Sequence, residues 1–125
     1  MHLVERVSPV VEPRLTHRDL YLDNVLAGPD YRVAAIVDFD NAEPWDVAAD
    51  WVKLRWQVFP RYAGAADAYR TGYHTAAGEL PMLEKRVRLA DILELSNHAV
   101  GAELVGSHDF ALQFKQRLDA VMALP

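Results

Sequence analysis

The chain has no cysteine in its 125 residues, which excludes disulfides and thiolate-held metals. Nor does any apolar run approach the roughly 20 residues that a bilayer-spanning helix requires. Met1 to Pro13 sets short apolar pairs against Glu5, Arg6 and Glu12, without the continuous apolar stretch of a signal peptide. No membrane role is expected, and a cytoplasmic location follows by default. Basic residues are the minority: 13 Lys and Arg stand against 18 Asp and Glu, a formal net charge of −5. They form no stripe, so a nucleic-acid partner is not expected. An acidic surface suits a cationic substrate, although net charge speaks first to solubility. Internal repeats and low-complexity segments are also missing. What is present is ordinary globular composition, 51% hydrophobic and 25% charged, in a length that suits one domain over residues 1–125.

Local signals divide the chain in two. Pro9 and Pro13 keep the first segment extended. Asn24 to Ala27 reads as a short strand, Gly28-Pro29-Asp30 as a turn, and Arg32 to Phe39 as a second strand. Such a hairpin lays Asn24 and Asp38 side by side, although fourteen positions separate them. From Asp46 the apolar period changes from two to about 3.6. Val47, Trp51, Leu54 and Val58 line one helix, which Pro60 ends. A second helix is expected over Ala63 to Ala77, closed by Gly78. A third starts at Pro81 with Leu83, Val87, Ala90, Leu93 and Val100 at helical spacing, and Gly106 ends it. Ser107 or Asp109 caps a last helix carrying Phe110, Phe114, Leu118 and Val121. The expected fold class is α+β and predominantly helical, a small hairpin packed on a helical body.

The residues with chemistry cluster at the hairpin. His17-Arg18-Asp19 followed by Asn24 matches a pattern in which the aspartate meets an accepting hydroxyl and the asparagine holds magnesium. Asp38, after the second strand, adds an anionic oxygen for the same metal. Magnesium keeps several waters and takes one or two carboxylates, so a mixed amide and carboxylate pair suits it. Singly, each motif has a plainer explanation: a capping aspartate, a turn asparagine, a strand terminator. Their joint order around a hairpin is what gives them specificity. His17 reads as a buttress of the loop. Asp46 and Asp50 lie one helical turn apart, where Asp46 caps the helix and one of the pair braces the catalytic loop. Asp23 and Asp40 are either solvated or extra oxygens near the metal. Trp45, Trp51 and Trp56 read as packing. Glu79, Glu84, Asp91, Glu94 and Glu103 line either an acidic groove for an amine or, for most of them, a solvated helix face. His74, His98 and His108 lack the close pairing of a zinc site.

These residues resemble the aminoglycoside phosphotransferase family, within the kinase-like fold. Thr16 to Leu26 looks like its catalytic loop, Ala35 to Ala42 like its metal loop, and Trp45 to Trp51 like the aspartate-rich helix start that follows. The resemblance implies that Asp19 is the catalytic base, that Asn24 and Asp38 bind Mg2+, and that Asp46 or Asp50 steadies the loop. It implies ATP or GTP as donor and a small hydroxylated, often amine-bearing, acceptor. The family usually has glycine where Arg18 stands, and glycine is common in place of Asp23.

Only sixteen residues precede His17, so the sequence looks like a carboxy-terminal lobe without the lobe that grips the nucleotide. A non-catalytic binding or assembly module, dimerising or pairing with a separate lobe, is the alternative. A metal-dependent phosphohydrolase is a third reading, weakened by the lack of a second metal cluster. With most adenine contacts and the phosphate clamp missing, the isolated chain is expected to turn over negligibly. A coupled assay of ADP release with small alcohols checks this, and ordinary kinase rates would refute it.

Overall fold

The computed structural model describes residues 12–124; the reading of Pro9 and the start of the chain lies outside them. Two compact units divide these residues, one up to Leu83 and one from Glu84 onward.

The first unit holds four short strands and two helices. Strand β1, Arg14–Thr16, follows Pro13. Strands β2, Val25–Ala27, and β3, Val33–Ile36, form the expected hairpin, pairing Val25 with Ile36 and Leu26 with Ala35. Its turn is closed by Gly28 N–H donating to Arg32 C=O at 2.8 Å and Tyr31 N–H to Gly28 C=O at 3.0 Å. A Cβ on Gly28 would lie 3.1 Å from Asp30 Oδ1, a tight contact to which the exposed Asp30 side chain would have to yield. The second strand stops at Ile36 instead of running to Phe39, because Asp38 turns the backbone to a φ of 63°.

A second antiparallel pair brackets the hairpin. Strand β4, Glu43–Trp45, lies against β1 with Arg14 opposite Trp45, Leu15 opposite Pro44 and Thr16 opposite Glu43. Pro44 hid this strand from the sequence reading, since proline normally argues against a strand and survives only at edges. The pairing is two strands wide, so Pro44 sits at an edge.

Helix α1, Ala49–Lys53, continues into a wider π-helical turn over Leu54–Val58. Phe59 N–H reaches back five residues to Leu54 C=O at 2.9 Å. The expected face of Val47, Trp51, Leu54 and Val58 is buried throughout. Leu20, from the loop after β1, joins Leu54 and Val58 in a cluster that Val25, Phe59, Ala65 and Tyr69 flank. The hairpin and the loop after β1 thus share one apolar anchor. Helix α2, Ala65–Ala77, ends at Gly78, whose φ of 80° favours glycine. It meets α1 through aromatic edges: the Trp51 ring lies 4.9 Å from Tyr69 and 5.0 Å from Tyr73.

The second unit comprises most of α3, Leu83–Leu104, and α4, His108–Met122. Between them Ser107 N–H donates to Ala102 C=O at 2.8 Å and Gly106 N–H to Glu103 C=O at 3.0 Å, a Schellman ending with Gly106 at φ 74°. The buried face of α3 keeps Leu83, Val87 and Ala90 of the expected one and departs from it further along the helix. Val87, Ala90, Leu95, Ala99 and the polar Asp91 are buried, whereas Leu93 and Val100 are exposed. Hydropathy favoured Leu93 over a carboxylate, but the helix turns Asp91 inward. On α4, Val121 and Ala111 are buried and Phe110 is exposed. Among the described residues, no helix is long and apolar enough to cross a membrane.

Because Leu54 ties the loop, the hairpin and α2 to one cluster, Leu54→Ala is expected to cost about 2–5 kcal/mol. Urea denaturation of both chains measures this.

Candidate functional site

The site begins where β1 hands the chain to His17. Asp50 on α1 accepts two successive backbone bonds there, from His17 N–H at 3.1 Å and from Arg18 N–H at 2.8 Å. Charge-assisted bonds of this kind are roughly twice as strong as neutral ones. They hold a backbone that would otherwise relax, because Arg18 sits at φ 65°, in the left-handed region. For an L-residue other than glycine that conformation costs about 1–2 kcal/mol. Glycine would avoid the strain; Arg18 offsets it with its side chain. The guanidinium pairs with Glu43 on β4 and lies 5.5 Å from the Trp45 ring centroid.

His17 links the loop after β1 to the segment that follows β3. Its Nε2–H donates to Val37 C=O at 2.9 Å, and Nδ1 accepts from Asp19 N–H at 3.2 Å. One donor and one acceptor assign the neutral Nε2–H tautomer from the hydrogen-bond network. The buried imidazole also lies 4.6 Å from the Phe39 ring.

Asp19 and Asn24 meet directly. Asn24 Nδ2 donates to Asp19 C=O at 2.8 Å and lies 3.4 Å from Asp19 Oδ2. With the amide nitrogen committed, Asn24 Oδ1 remains as an acceptor. The Asn24 backbone carbonyl accepts from Val37 N–H at 3.0 Å, one residue before Asp38. Asn24 and Asp38 therefore occupy the same end of the hairpin. Asp38 is exposed and, among the described residues, its carboxylate has no side-chain partner. Asp23 and Asp40 are exposed as well. Asp46 Oδ1 accepts from Ala48 N–H at 2.9 Å and so shapes the entry to α1.

Among the described residues no three His, Cys, Asp or Glu side chains form a metal cluster. The donors that remain, the Asn24 amide oxygen and the Asp38 carboxylate, fit magnesium, whose shell is mostly water and phosphate oxygen. His74, His98 and His108 lie on α2, α3 and α4 respectively. His98 stacks on Phe114 with ring centres 5.1 Å apart. His108 Nδ1 lies 2.9 Å from Glu103, which Lys115 also contacts at 2.6 Å.

Two site residues escaped the sequence reading. Lys53, at the end of α1, forms an ion pair with Asp19, and its ammonium lies 4.9 Å from the Tyr21 ring centroid. Glu43 carries the Arg18 pair. Lys53 stands three residues after Asp50 on one helix face, but nothing local pointed to Asp19 as its partner.

Burial raises the Asp50 carboxyl above its ordinary value of 3.8, outweighing the lowering by the bonds from the Arg18 and His17 amides. The folded value thus exceeds the unfolded one. The associated stability is present below a pH of 3.8 and is lost as pH rises through the folded value. Burial first, then the Asp50 charge and Tyr73, pushes the Tyr69 hydroxyl well above its usual range.

Residues 3–85 match the family model described as the phosphotransferase enzyme family. The match extends past both ends of the stretch from Thr16 to Trp51 that carries the motifs. No curated protein and no solved structure matches the chain.

Removing the Asp50 carboxylate strands two amides at a strained turn. Asp50→Ala is expected to destabilise the chain by about 1–3 kcal/mol. Amide exchange at His17 and Arg18 should accelerate more than exchange in α3 and α4. Denaturation and hydrogen-exchange NMR read both effects. A second check is the Asp50 side-chain titration, expected to have its midpoint above 3.8.

Proposed function

The chain belongs to the phosphotransferase enzyme family, and on that premise we propose that its site transfers the γ-phosphoryl group of ATP or GTP to a hydroxyl of a small, often amine-bearing, molecule. The observation that carries this reading is the join between Asp19, Asn24 and the strand end before Asp38. It supports a reading in which the Asp19 carboxylate serves the acceptor and the Asn24 and Asp38 oxygens serve a metal.

In the proposed step the acceptor oxygen attacks the γ-phosphorus as the bond to the bridging oxygen breaks. The nucleoside diphosphate departs with that electron pair, and the hydroxyl proton passes to Asp19. Aspartate is a weak base, so Asp19 first orients the hydroxyl and takes the proton late. Asn24 Oδ1 and the Asp38 carboxylate would hold magnesium, which supplies neutralisation of charge on the phosphate oxygens. His17 keeps the two loops in register, Asp50 fixes the backbone that presents Asp19, and Asp46 supports the helix from which Asp50 acts.

A second reading, a non-catalytic assembly module, draws on the exposed apolar side chains of Leu15, Val33 and Trp45. Light scattering separates the two, since an assembly module should dimerise and a chain acting through the proposed site alone should stay monomeric.

Manganese as a paramagnetic stand-in tests the site directly. Backbone signals of Asn24 and Asp38 should broaden at low metal, and Asp38→Asn should reduce affinity about tenfold or more. Uniform broadening, or broadening centred on Asp67 or Asp109, would contradict the proposal.

A further inference from the structure

Asp50 and Lys53 leave α1 on one face and reach the same loop by different handles. Asp50 holds the backbone of His17 and Arg18, and Lys53 holds the side chain of Asp19. We propose that Lys53 is a positioning residue that pins Asp19 Oδ1 and so reserves Oδ2 for the acceptor hydroxyl. This inference rests on the reading of Asp19 as the group that receives the acceptor's proton.

An aspartate side chain chooses among staggered rotamers. At Asp19 two neighbours restrict that choice. Asn24 Nδ2 lies 3.4 Å from Oδ2, a long contact that adds little restraint. The ammonium of Lys53 contacts Oδ1 and is therefore the principal hold. Lys53 is itself located, because Tyr21 places its ring face 4.9 Å from the ammonium. Tyr21, Lys53 and Asp19 form a stack in which each member fixes the next. Side-chain exposures of 28% for Lys53 and 18% for Asp19 leave the pair partly open to water. Partly exposed ion pairs contribute little to stability, so the contact is poorly explained as a folding device. Orientation is a better account, since a misplacement of about 1 Å in a reacting group can cost on the order of a hundredfold in rate. The lysine also keeps a positive charge close to where the phosphoryl group would arrive, without the fork geometry that would commit it to both Asp19 oxygens.

Three-bond couplings from Asp19 Cγ to its backbone nitrogen and carbonyl carbon report the χ1 rotamer directly. In the full chain they are expected to show a single rotamer. In Lys53→Met they should move to averaged values, and Lys53→Arg should restore most of the single-rotamer signal. Backbone spectra away from residues 17–24 and from the immediate neighbours of position 53 should be unchanged, which separates positioning from general loss of structure. Unchanged couplings in Lys53→Met, or an arginine variant that averages as fully as the methionine one, would overturn the proposal. Should Lys53→Met fail to fold, the wild-type lysine supplies the test. A slowly exchanging ammonium signal coupled to Asp19 Cγ supports the contact, and a freely exchanging one refutes it. Manganese broadening at Asn24 and Asp38 on the same samples reports on the phosphotransferase reading separately. If broadening is retained while the couplings stay fixed, the role of Lys53 fails alone. If broadening is lost in the wild type, the reading beneath it fails.

Discussion

Everything at the site depends on one carboxylate receiving two consecutive amides. Asp50 faces His17 N–H and Arg18 N–H at a point where the backbone enters the left-handed region. Burial opposes the charge on Asp50, and strain opposes the conformation at Arg18. The two unfavourable terms are held together because each supplies what the other needs: a buried anion gains donors, and a strained turn gains an acceptor. From that grip follow the direction of Asp19, the contact of His17 with Val37, and the meeting of Asn24 with the loop after β1.

The packing serves the same end. Leu20 continues from the gripped turn into the cluster of Leu54 and Val58, so the loop is tied to α1 by polar bonds on one side and apolar contact on the other. The π-helical turn follows Lys53 directly and accommodates Leu54 and Val58 on the buried side. Arg18 shows how the chain manages without glycine at a left-handed position. Its guanidinium reaches Glu43 and Trp45, binding the turn to β4. The strand pair β1–β4 is thereby part of the site's support and not an accessory to it.

Much of this was legible in the residues. The turn at Gly28-Pro29-Asp30, the helix face of Val47, Trp51, Leu54 and Val58, and the stops at Gly78 and Gly106 all follow from local stereochemistry that sequence carries. The α+β, mainly helical class follows from them, and the motif order led to the family. What was hidden depends on long-range partners. Pro44 looks like a strand breaker until β1 lies beside it. Asp91 looks like a surface residue until α3 packs. Lys53 looks like an ordinary basic residue near a helix end, and its partner lies thirty-four positions earlier. Arg18 departs from the family's glycine, and that glycine, the residue that tolerates a positive φ, was an indirect sign of the left-handed backbone there.

The central claim is that Asn24 and Asp38 together present one magnesium site beside Asp19. Anomalous diffraction from crystals grown with manganese and a non-hydrolysable ATP analogue tests it most directly. The account predicts a metal peak bonded to Asn24 Oδ1 and the Asp38 carboxylate, with waters or phosphate oxygens completing the shell. A peak held by Asp23 or Asp40 without Asn24, or no peak at this end of the hairpin, would contradict it.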